Sequence, residues 1–176
     1  MIPMETERKF LLTKMPRSLG MGSKIIQGYI NEKGPAVRVR ISTFGDKVDD
    51  ENASAFLTIK GKREDGELGK PEFEYKIPTS DAQYMLANLC GDRIIEKTRY
   101  LVTFANYVYE VDVFAGNLKG MVVAELEYPD SASALMVDHP KPKWLGREVT
   151  DDKQYTNKKL AKAQCIPANY VGPNLK

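Results

Sequence analysis

Cysteine, histidine and long apolar runs are all scarce in this chain of 176 residues, which has two cysteines and one histidine. Cys90 and Cys165 stand in unrelated contexts, so we expect two buried free thiols, as in a reducing cytoplasm. His139 lies in a predicted loop without a cysteine pair at ligand spacing, which argues against a structural zinc site. No apolar run approaches the roughly 20 residues that span a bilayer, and the start lacks a basic-then-apolar signal. We therefore expect a cytoplasmic protein with no membrane partner.

The chain also lacks an excess of either charge. Its 26 basic and 24 acidic residues give a formal net charge of +2. Such a balance argues against general nucleic-acid binding, so we expect no nucleic-acid partner. The length fits one domain that can bury a sizeable core without disulfides. Function must therefore depend on where the charges lie.

Charged residues occupy every second position in segment after segment of the sequence. In the opening segment, Glu5, Glu7 and Lys9 alternate in this way, which places all three on one face of a strand. The alternation continues in six further segments, 37–41, 57–60, 72–77, 97–99, 110–113 and 125–128, and the segment 27–30 is an eighth strand candidate. β-branched and aromatic residues dominate the positions between the charges, as strands prefer. Eight short strands with short connections predict antiparallel neighbours that can close into a barrel.

We predict an α+β fold: an eight-stranded antiparallel β-barrel with a charged interior and helices packed on the outside. The pattern alone also allows an ordinary barrel with an apolar interior. In a charged barrel both signs must be enclosed together, because buried ions need partners. The inward acids would be Glu5, Glu7, Glu72, Glu74, Glu110, Asp112, Glu125 and Glu127, and the inward bases Lys9, Arg38, Arg40, Lys60, Lys76, Lys97 and Arg99.

Two helices of useful length are predicted. Thr79 or Ser80 can cap a helix that ends near Gly91. Thr150 precedes two aspartates that suit the positive end of a helix dipole, and this helix should extend through Ala163.

Shorter features complete the expected organisation. We expect a short helix over 130–137 and one helical turn within 14–20. One domain is expected over 1–165, followed by an extended or poorly ordered tail over 166–176.

The predicted lining favours phosphoryl transfer. The pairs Glu5/Glu7 and Glu125/Glu127 repel unless a cation separates them, and their oxygens suit Mg²⁺ or Mn²⁺. Arginine forks and lysine ammonium groups match phosphate oxygens. No Walker loop is present, so side chains would hold the ligand. These residue types imply a small, elongated polyanion.

At these residues the chain resembles the CYTH domain superfamily, the triphosphate tunnel metalloenzymes, in its short bacterial type. The run Glu5-Thr6-Glu7-Arg8-Lys9 matches the hallmark ExExK motif of that family. The match continues through 27–29, 38–40, 58–60, 72–74, 96–100, 110–114 and 125–127, and ends in a signature over 144–152 and 155–157. The resemblance covers about residues 4–165, so the expected domain of 1–165 would be a CYTH domain.

The resemblance implies an eight-stranded tunnel and assigns roles residue by residue. The implied metal ligands are Glu5, Glu7, Asp112, Glu125 and Glu127. The implied phosphate-binding residues are Lys9, Arg38, Arg40, Lys60, Lys97 and Arg99, which with Glu5 and Glu7 form the catalytic set. Glu72 and Glu74 match an inner-wall acidic pair that orients bases or helps bind metal, and Lys76 is added as the third charge on that strand.

The activity implied by the resemblance is metal-dependent hydrolysis of triphosphates, with tripolyphosphate as the expected substrate and two Mg²⁺ or Mn²⁺ ions as cofactors. The alternatives are a class IV-type adenylyl cyclase, a thiamine triphosphatase and a non-enzymatic polyphosphate or nucleotide sensor. A homodimer is expected from relatives. Two points stay open: the connection 44–54 is a lid or an inert surface loop, and Tyr29 faces the cavity or only packs.

Overall fold

The computed structural model describes residues 2–45, 52–64, 69–129, 133 and 141–173. Nine strands and two α-helices form its regular structure. The strands are β1 Met4–Leu12, β2 Ser23–Tyr29, β3 Ala36–Phe44, β4 Ala53–Lys60, β5 Lys70–Ile77, β6 Ile94–Phe104, β7 Tyr107–Phe114, β8 Val122–Tyr128 and β9 Leu145–Glu148. The helices are α1 Thr79–Asn88 and α2 Asn157–Ala163. Neither helix is both long and apolar enough to cross a membrane.

Eight of the strands form a closed antiparallel barrel, which confirms the predicted fold. Their order is β5-β4-β3-β2-β6-β7-β8-β1, and β5 returns to pair with β1. The closing contacts join Met4 to Pro71 and Glu5 to Lys70. Beyond this short junction, β9 pairs with the far end of β1 at Phe10 and Leu12. The edge of β1 is therefore shared between β5 and the short strand β9, which the alternation pattern did not predict.

Apolar side chains cover the outer face of the barrel wall. Helix α1 packs there through Ala82, which forms a buried cluster with Val39 and Ala55. On the opposite side, the ring of Trp144 meets the ring of Tyr109 edge-on at 5.2 Å between centroids. With apolar groups on the outside, the alternating charges are left facing inward.

One end of the barrel is plugged by apolar residues. Leu11, Ile95 and Phe114 share the inward parity of the neighbouring charges but are fully buried in one apolar cluster. Leu160 and Ala161 of α2 belong to the same cluster. Helix α2 thus covers this end, and the interior changes from charged to apolar along the barrel axis.

The start of α1 differs from the prediction. Pro78 occupies the N-cap position and no side chain caps the helix, so neither Thr79 nor Ser80 serves as the cap. The Pro78 carbonyl accepts from the amides of Asp81 and Ala82, each at 3.1 Å, so backbone rather than a hydroxyl side chain meets these two donors of the first turn.

The helix predicted to follow Thr150 begins seven residues later. The Lys9 amide donates to the Thr150 hydroxyl at 3.0 Å, and the Val149 amide donates to the Lys9 carbonyl at 2.8 Å. Thr150 is therefore tied to β1 and cannot start a helix. A 3₁₀ turn over Lys153–Tyr155 follows, and Thr156 caps α2 by accepting from the Lys159 amide at 3.3 Å.

The predictions for the segment 14–20, the two cysteines and the segments 44–54 and 130–137 can also be compared with the structure. No helical turn forms within 14–20, and Cys165 is exposed, whereas Cys90 is buried as expected. The expected helix over 130–137 lies outside the described residues except for residue 133, and so do His139 and residues 46–51 of the connection considered as a lid.

The first part of the expected tail is held against the body of the protein. The Val122 amide donates to the Tyr170 hydroxyl at 2.9 Å, and the Tyr155 hydroxyl donates to Asn169 Oδ1 at 2.9 Å. Asn169 and Tyr170 are therefore held against the plugged end rather than loose. The division at 165 stays a prediction.

Leu160→Ala should destabilise the fold through the plug. Leu160 is 1% exposed, so truncation leaves a cavity at the apolar end and should lower the free energy of unfolding by about 2–5 kcal/mol. Urea denaturation measures this loss. The control is Leu101→Ala, because Leu101 is 63% exposed and should change stability by less than about 0.5 kcal/mol. Equal effects of the two changes would contradict the plug.

Candidate active site

Two cavities meet inside the barrel and share four lining residues, Glu7, Arg38, Lys60 and Asn157. The tunnel cavity has a volume of about 330 Å³ and runs along the charged interior. The side cavity has a volume of about 530 Å³ and lies between β1, the 34–36 loop and the segment 149–158.

Carboxylates outnumber bases in the tunnel cavity. Among the described residues, seven carboxylates and four basic groups line it. The carboxylates are Glu5, Glu7, Glu72, Glu74, Glu110, Glu125 and Glu127, and the bases are Arg38, Arg40, Lys60 and Arg99. The lining therefore carries an excess of negative charge that a cation can offset.

A buried network of ion pairs occupies the wall of β6, β7 and β8. Lys97 Nζ lies 2.5 Å from Asp112 Oδ2, and Arg99 Nε lies 2.7 Å from Asp112 Oδ1. Arg99 Nη2 also lies 2.7 Å from Glu125 Oε2, and Lys9 Nζ lies 2.8 Å from Glu125 Oε1. Arg99 further pairs with Glu110. These charges are mutually satisfied, as buried ions require.

The network shifts the ionisation of its members. Burial alone would raise the pKa of Glu125, but Lys9 and Arg99 outweigh it and hold this pKa well below the usual range. Burial likewise opposes the charge of Asp112, yet Arg99 and Lys97 lower its pKa. Burial lowers the pKa of Lys97 to about 8, although Asp112 favours the ammonium form. Both carboxylates are therefore ionised near neutral pH and committed to bases.

A second group of charges lies where β5 closes onto β1. Lys60 Nζ lies 2.6 Å from Glu5 Oε1 and 3.0 Å from Glu72 Oε2, while Lys70 Nζ lies 3.0 Å from Glu5 Oε2. Burial would raise the pKa of Glu5, but Lys60 and Lys70 together lower it to about 2. Glu72 shows the opposite shift, because burial and the nearby Glu5 raise its pKa.

Glu7 and Glu127 are the tunnel carboxylates with the least neutralisation. They face each other in the β1–β8 register. The base nearest to Glu7 is Lys70 at 3.6 Å, and Glu127 forms no ion pair with any described residue. Burial, Glu5 and Glu7 raise the pKa of Glu127. Two carboxylates that repel in this way fit a hard divalent cation between them.

The carboxylates are not arranged as a complete metal site. No three Asp, Glu, His or Cys side chains within the described ranges converge as a ready set of ligands. Basic partners occupy part of this group, since Lys60 and Lys70 pair with Glu5 and Lys70 also lies 3.6 Å from Glu7. The donor chemistry thus fits a divalent cation at Glu7 and Glu127, with Glu5 adjacent.

Arginine donors without acceptors lie in the same tunnel. Arg38 donates to Thr58 Oγ1 and Glu74 Oε2, each at 3.1 Å, and Arg40 lies 3.3 Å from Glu74 Oε2. The Nε groups of both arginines are buried and have no hydrogen-bond partner in the described structure. A buried donor without an acceptor is costly, so both groups can gain an anionic ligand.

Most of the sequence-predicted site residues come together at the two cavities. The tunnel cavity collects Glu5, Glu7, Arg38, Arg40, Lys60, Glu72, Glu74, Arg99, Glu125 and Glu127, and the side cavity adds Lys9. Lys97 and Asp112 are buried within the ion-pair network, at 1% and 0% side-chain exposure, and line neither cavity. Lys76 is exposed on β5 and also lines neither. Their predicted roles stay predictions.

Sequence reasoning missed two residues at the site. Lys70 lies outside the segments that the alternation predicted, but it begins β5 and holds Glu5. Extending the alternation of Glu72 and Glu74 back by two positions would have found it. Asn157 lines both cavities, although the sequence analysis assigned it no role in binding. It lies on α2 rather than on a strand, so alternation gave no signal.

Tyr29 both packs and faces a cavity, which answers the question that the sequence left open. Its ring belongs to the apolar plug, and the residue also lines the side cavity. The Tyr29 hydroxyl accepts from Gln27 Nε2 at 3.1 Å. Burial raises the pKa of Tyr29 to about 12, so the hydroxyl is neutral in the ordinary pH range.

Comparison with known proteins agrees with this architecture. The family model of the CYTH domain matches residues 3–161. An inorganic triphosphatase from Acetivibrio thermocellus is 39% identical over 160 residues, which cover 90% of this chain and 93% of that protein. An inorganic triphosphatase from Nitrosomonas europaea is 33% identical over 160 residues, which cover 89% of this chain and 96% of the relative.

The fold comparison gives the same result. A crystal structure of an inorganic triphosphatase aligns with a TM-score of 0.62 and 31% identity, covering 92% of this chain and 99% of that one. The closed barrel with a charged interior thus defines a triphosphate-tunnel fold. The chain belongs to the CYTH domain family.

Acid should destabilise the protein through Glu5. The pKa of Glu5 is about 2 in the folded protein, whereas its ordinary value is 4.5. The ion pairs of Glu5 therefore stabilise the fold above pH 4.5, and this contribution is lost as the pH falls towards 2. Glu5→Gln should remove up to about 3 kcal/mol at pH 6 and little near pH 2.

Urea unfolding from pH 2.5 to pH 6 without divalent ions measures this difference. Glu64→Gln is the matched control, because Glu64 is exposed and lines neither cavity. A Glu5→Gln effect that does not vary with pH would show that the Glu5 ion pairs do not stabilise the fold.

Proposed function

We propose that this protein is a divalent-metal-dependent triphosphatase that hydrolyses tripolyphosphate to pyrophosphate and phosphate. The observation that carries the proposal is a tunnel cavity in which an excess of carboxylates lies beside buried arginine donors without acceptors. Such a cavity suits a cation and a polyanion together. Two relatives that align over nine-tenths of their length are named inorganic triphosphatases, which supports the same substrate class.

Mg²⁺ or Mn²⁺ would be held by Glu7 and Glu127, with Glu5 as a further ligand. A bound ion would neutralise phosphate charge and lower the pKa of a water for in-line attack, and a second ion is expected from the number of carboxylates. Glu125 and Asp112 stay predicted ligands. Both carboxylates accept hydrogen bonds from Arg99, and these bonds hold the Arg99 guanidinium group in position.

The basic side chains of the tunnel would bind the phosphates. Arg38 and Arg40 offer their free Nε donors, and Lys60 and Arg99 add positive charge at the same cavity. In phosphoryl transfer these groups stabilise charge on the equatorial oxygens and on the leaving pyrophosphate. No covalent nucleophile is needed.

The remaining predicted residues act through those that touch the substrate. Glu74 accepts from both Arg38 and Arg40 and so sets the spacing of the two guanidinium groups. Glu72 and Glu5 both pair with Lys60, at 3.0 Å and 2.6 Å. These carboxylates orient the phosphate-binding bases.

The partner of the site is a small polyanion of the triphosphate class. Its lining is side chains from the strands, and the relatives' names specify an inorganic substrate. A homodimer, a cytoplasmic location and the absence of a nucleic-acid partner stay predictions.

Phosphate release identifies the substrate. Purified protein is incubated with tripolyphosphate, ATP or thiamine triphosphate, each with Mg²⁺ or Mn²⁺. We expect the highest kcat/KM with tripolyphosphate and no release in EDTA. Faster release from ATP or thiamine triphosphate would overturn the inorganic assignment. Binding of tripolyphosphate without turnover under either metal would overturn the enzyme assignment.

Glu7→Gln should abolish most of the activity by removing a metal ligand. We expect kcat/KM to fall by about 10²–10³-fold, as when a group that stabilises transition-state charge is lost. Calorimetry without substrate should show weaker Mn²⁺ binding by the same variant. Asp81→Asn on α1 is the control, because Asp81 is exposed and distant from both cavities. Unchanged turnover or unchanged Mn²⁺ affinity would exclude Glu7 as a ligand.

A further inference from the structure

Thr58 lies in the middle of a cross-strand row that joins two charged residues of the tunnel. In the β3–β4 register it faces Arg38, and in the β4–β5 register it faces Glu74. Because neighbouring strands lie about 5 Å apart, Arg38 and Glu74 start from backbones two strand spacings apart, with Thr58 between them. Thr58 is 0% exposed, so its side chain meets only the groups packed around it.

The Thr58 hydroxyl bonds to both neighbours in this row. Arg38 Nη2 lies 3.1 Å from Thr58 Oγ1, and Thr58 Oγ1 lies 2.8 Å from Glu74 Oε2. A guanidinium group can only donate and a carboxylate can only accept, so the hydroxyl accepts from Arg38 and donates to Glu74. The charges on either side therefore fix the direction of both hydrogen bonds of Thr58.

These contacts hold Arg38 by one corner of its guanidinium group. Arg38 Nη2 also donates to Glu74 Oε2 at 3.1 Å and lies 3.6 Å from Glu72 Oε1. Arg38 Nε, in contrast, is buried and has no acceptor among the described residues. Since the guanidinium group is planar and rigid, fixing Nη2 also limits where Nε can point. The Nε edge of Arg38 is thus left for a ligand.

Both the shape and the hydroxyl of residue 58 bear on this arrangement. Valine has nearly the shape of threonine but no hydroxyl, so it would leave Arg38 Nη2 and Glu74 Oε2 each one buried hydrogen bond short. Serine keeps the hydroxyl and loses only a methyl group. The two substitutions therefore separate the hydrogen bonds of Thr58 from its packing.

We propose that Thr58 is a positioning residue that fixes the Arg38 guanidinium group with its Nε edge towards the phosphate chain. This inference rests on the proposed function, in which Arg38 binds phosphate. Thr58 lines neither cavity and acts through Arg38 and Glu74. Because Glu74 also accepts from Arg40 Nη2 at 3.3 Å, Thr58 helps to keep the spacing of the two arginines.

Steady-state kinetics of tripolyphosphate hydrolysis test the proposal. Thr58→Val should lower kcat/KM about tenfold, because a displaced guanidinium group no longer meets the phosphate oxygens in the right geometry. Thr58→Ser should stay within about twofold of the wild type, since it keeps the hydroxyl. Thr43→Val is the matched control, because Thr43 is 5% exposed, lines neither cavity and should leave kcat/KM unchanged.

A double-mutant cycle with Arg38 separates positioning from general damage to the fold. Arg38→Lys keeps the positive charge but has no planar fork for Thr58 to hold. If Thr58 acts through Arg38, adding Thr58→Val to Arg38→Lys should change kcat/KM by less than about twofold. A merely structural role would give the same loss in both backgrounds.

The Arg38 side chain also provides a measurement that needs no turnover. Its Nε–H signal in proton–nitrogen NMR spectra is assigned by its loss in Arg38→Lys. This signal should shift or broaden in Thr58→Val and persist in Thr58→Ser. A wild type that releases no phosphate would overturn the proposed function alone, and the signal would still decide whether Thr58 holds Arg38.

Four results would each overturn the proposal. They are an unchanged kcat/KM in Thr58→Val, an unchanged Arg38 signal in Thr58→Val, a Thr58→Ser variant as impaired as Thr58→Val, and equal losses from Thr58→Val in the two Arg38 backgrounds.

Discussion

Charge neutralisation inside a closed barrel is the constraint on which the rest of this structure depends. Alternation sends acids or bases inward from seven of the eight barrel strands, and buried ions persist only with partners. Pairing satisfies the wall around Asp112, where Lys97 and Arg99 both bind one carboxylate. Pairing is weakest at Glu7 and Glu127, which face each other with one long ion pair, from Lys70 to Glu7 at 3.6 Å. The place where pairing is weakest is where a cation fits.

The same constraint divides the interior into regions of opposite charge. The tunnel cavity has an excess of carboxylates, and the side cavity has an excess of bases. Arg38 and Lys60 line both, so an anion in either region meets the same cations. At the far end the inward positions become apolar, and α2 closes the barrel with Leu160. A ligand therefore enters a blind, charged chamber rather than an open channel.

The alternation predicted the barrel and its charged interior because side-chain parity in a strand is a local property. The spacing of Glu5, Glu7 and Lys9 was sufficient to predict that the three side chains share one face of a strand. The alternation did not predict which charges pair. Asp112 pairs with Arg99, whereas Glu127 pairs with no base among the described residues. This difference depends on the register between strands that are distant in sequence. The alternation also missed Asn157, which reaches the site from a helix. The start of α2 was misplaced because Thr150 bonds to β1, a tertiary contact that overrides a good capping sequence.

The central claim is that the least neutralised carboxylates of the tunnel, Glu7 and Glu127, hold a divalent cation. The most direct measurement is a crystal structure of the protein with Mn²⁺, using its anomalous scattering to locate the ion. The account predicts an anomalous peak in the tunnel cavity, bound by oxygens of Glu7 and Glu127. A peak at another place in the molecule, or a tunnel without a peak at millimolar Mn²⁺, would contradict it.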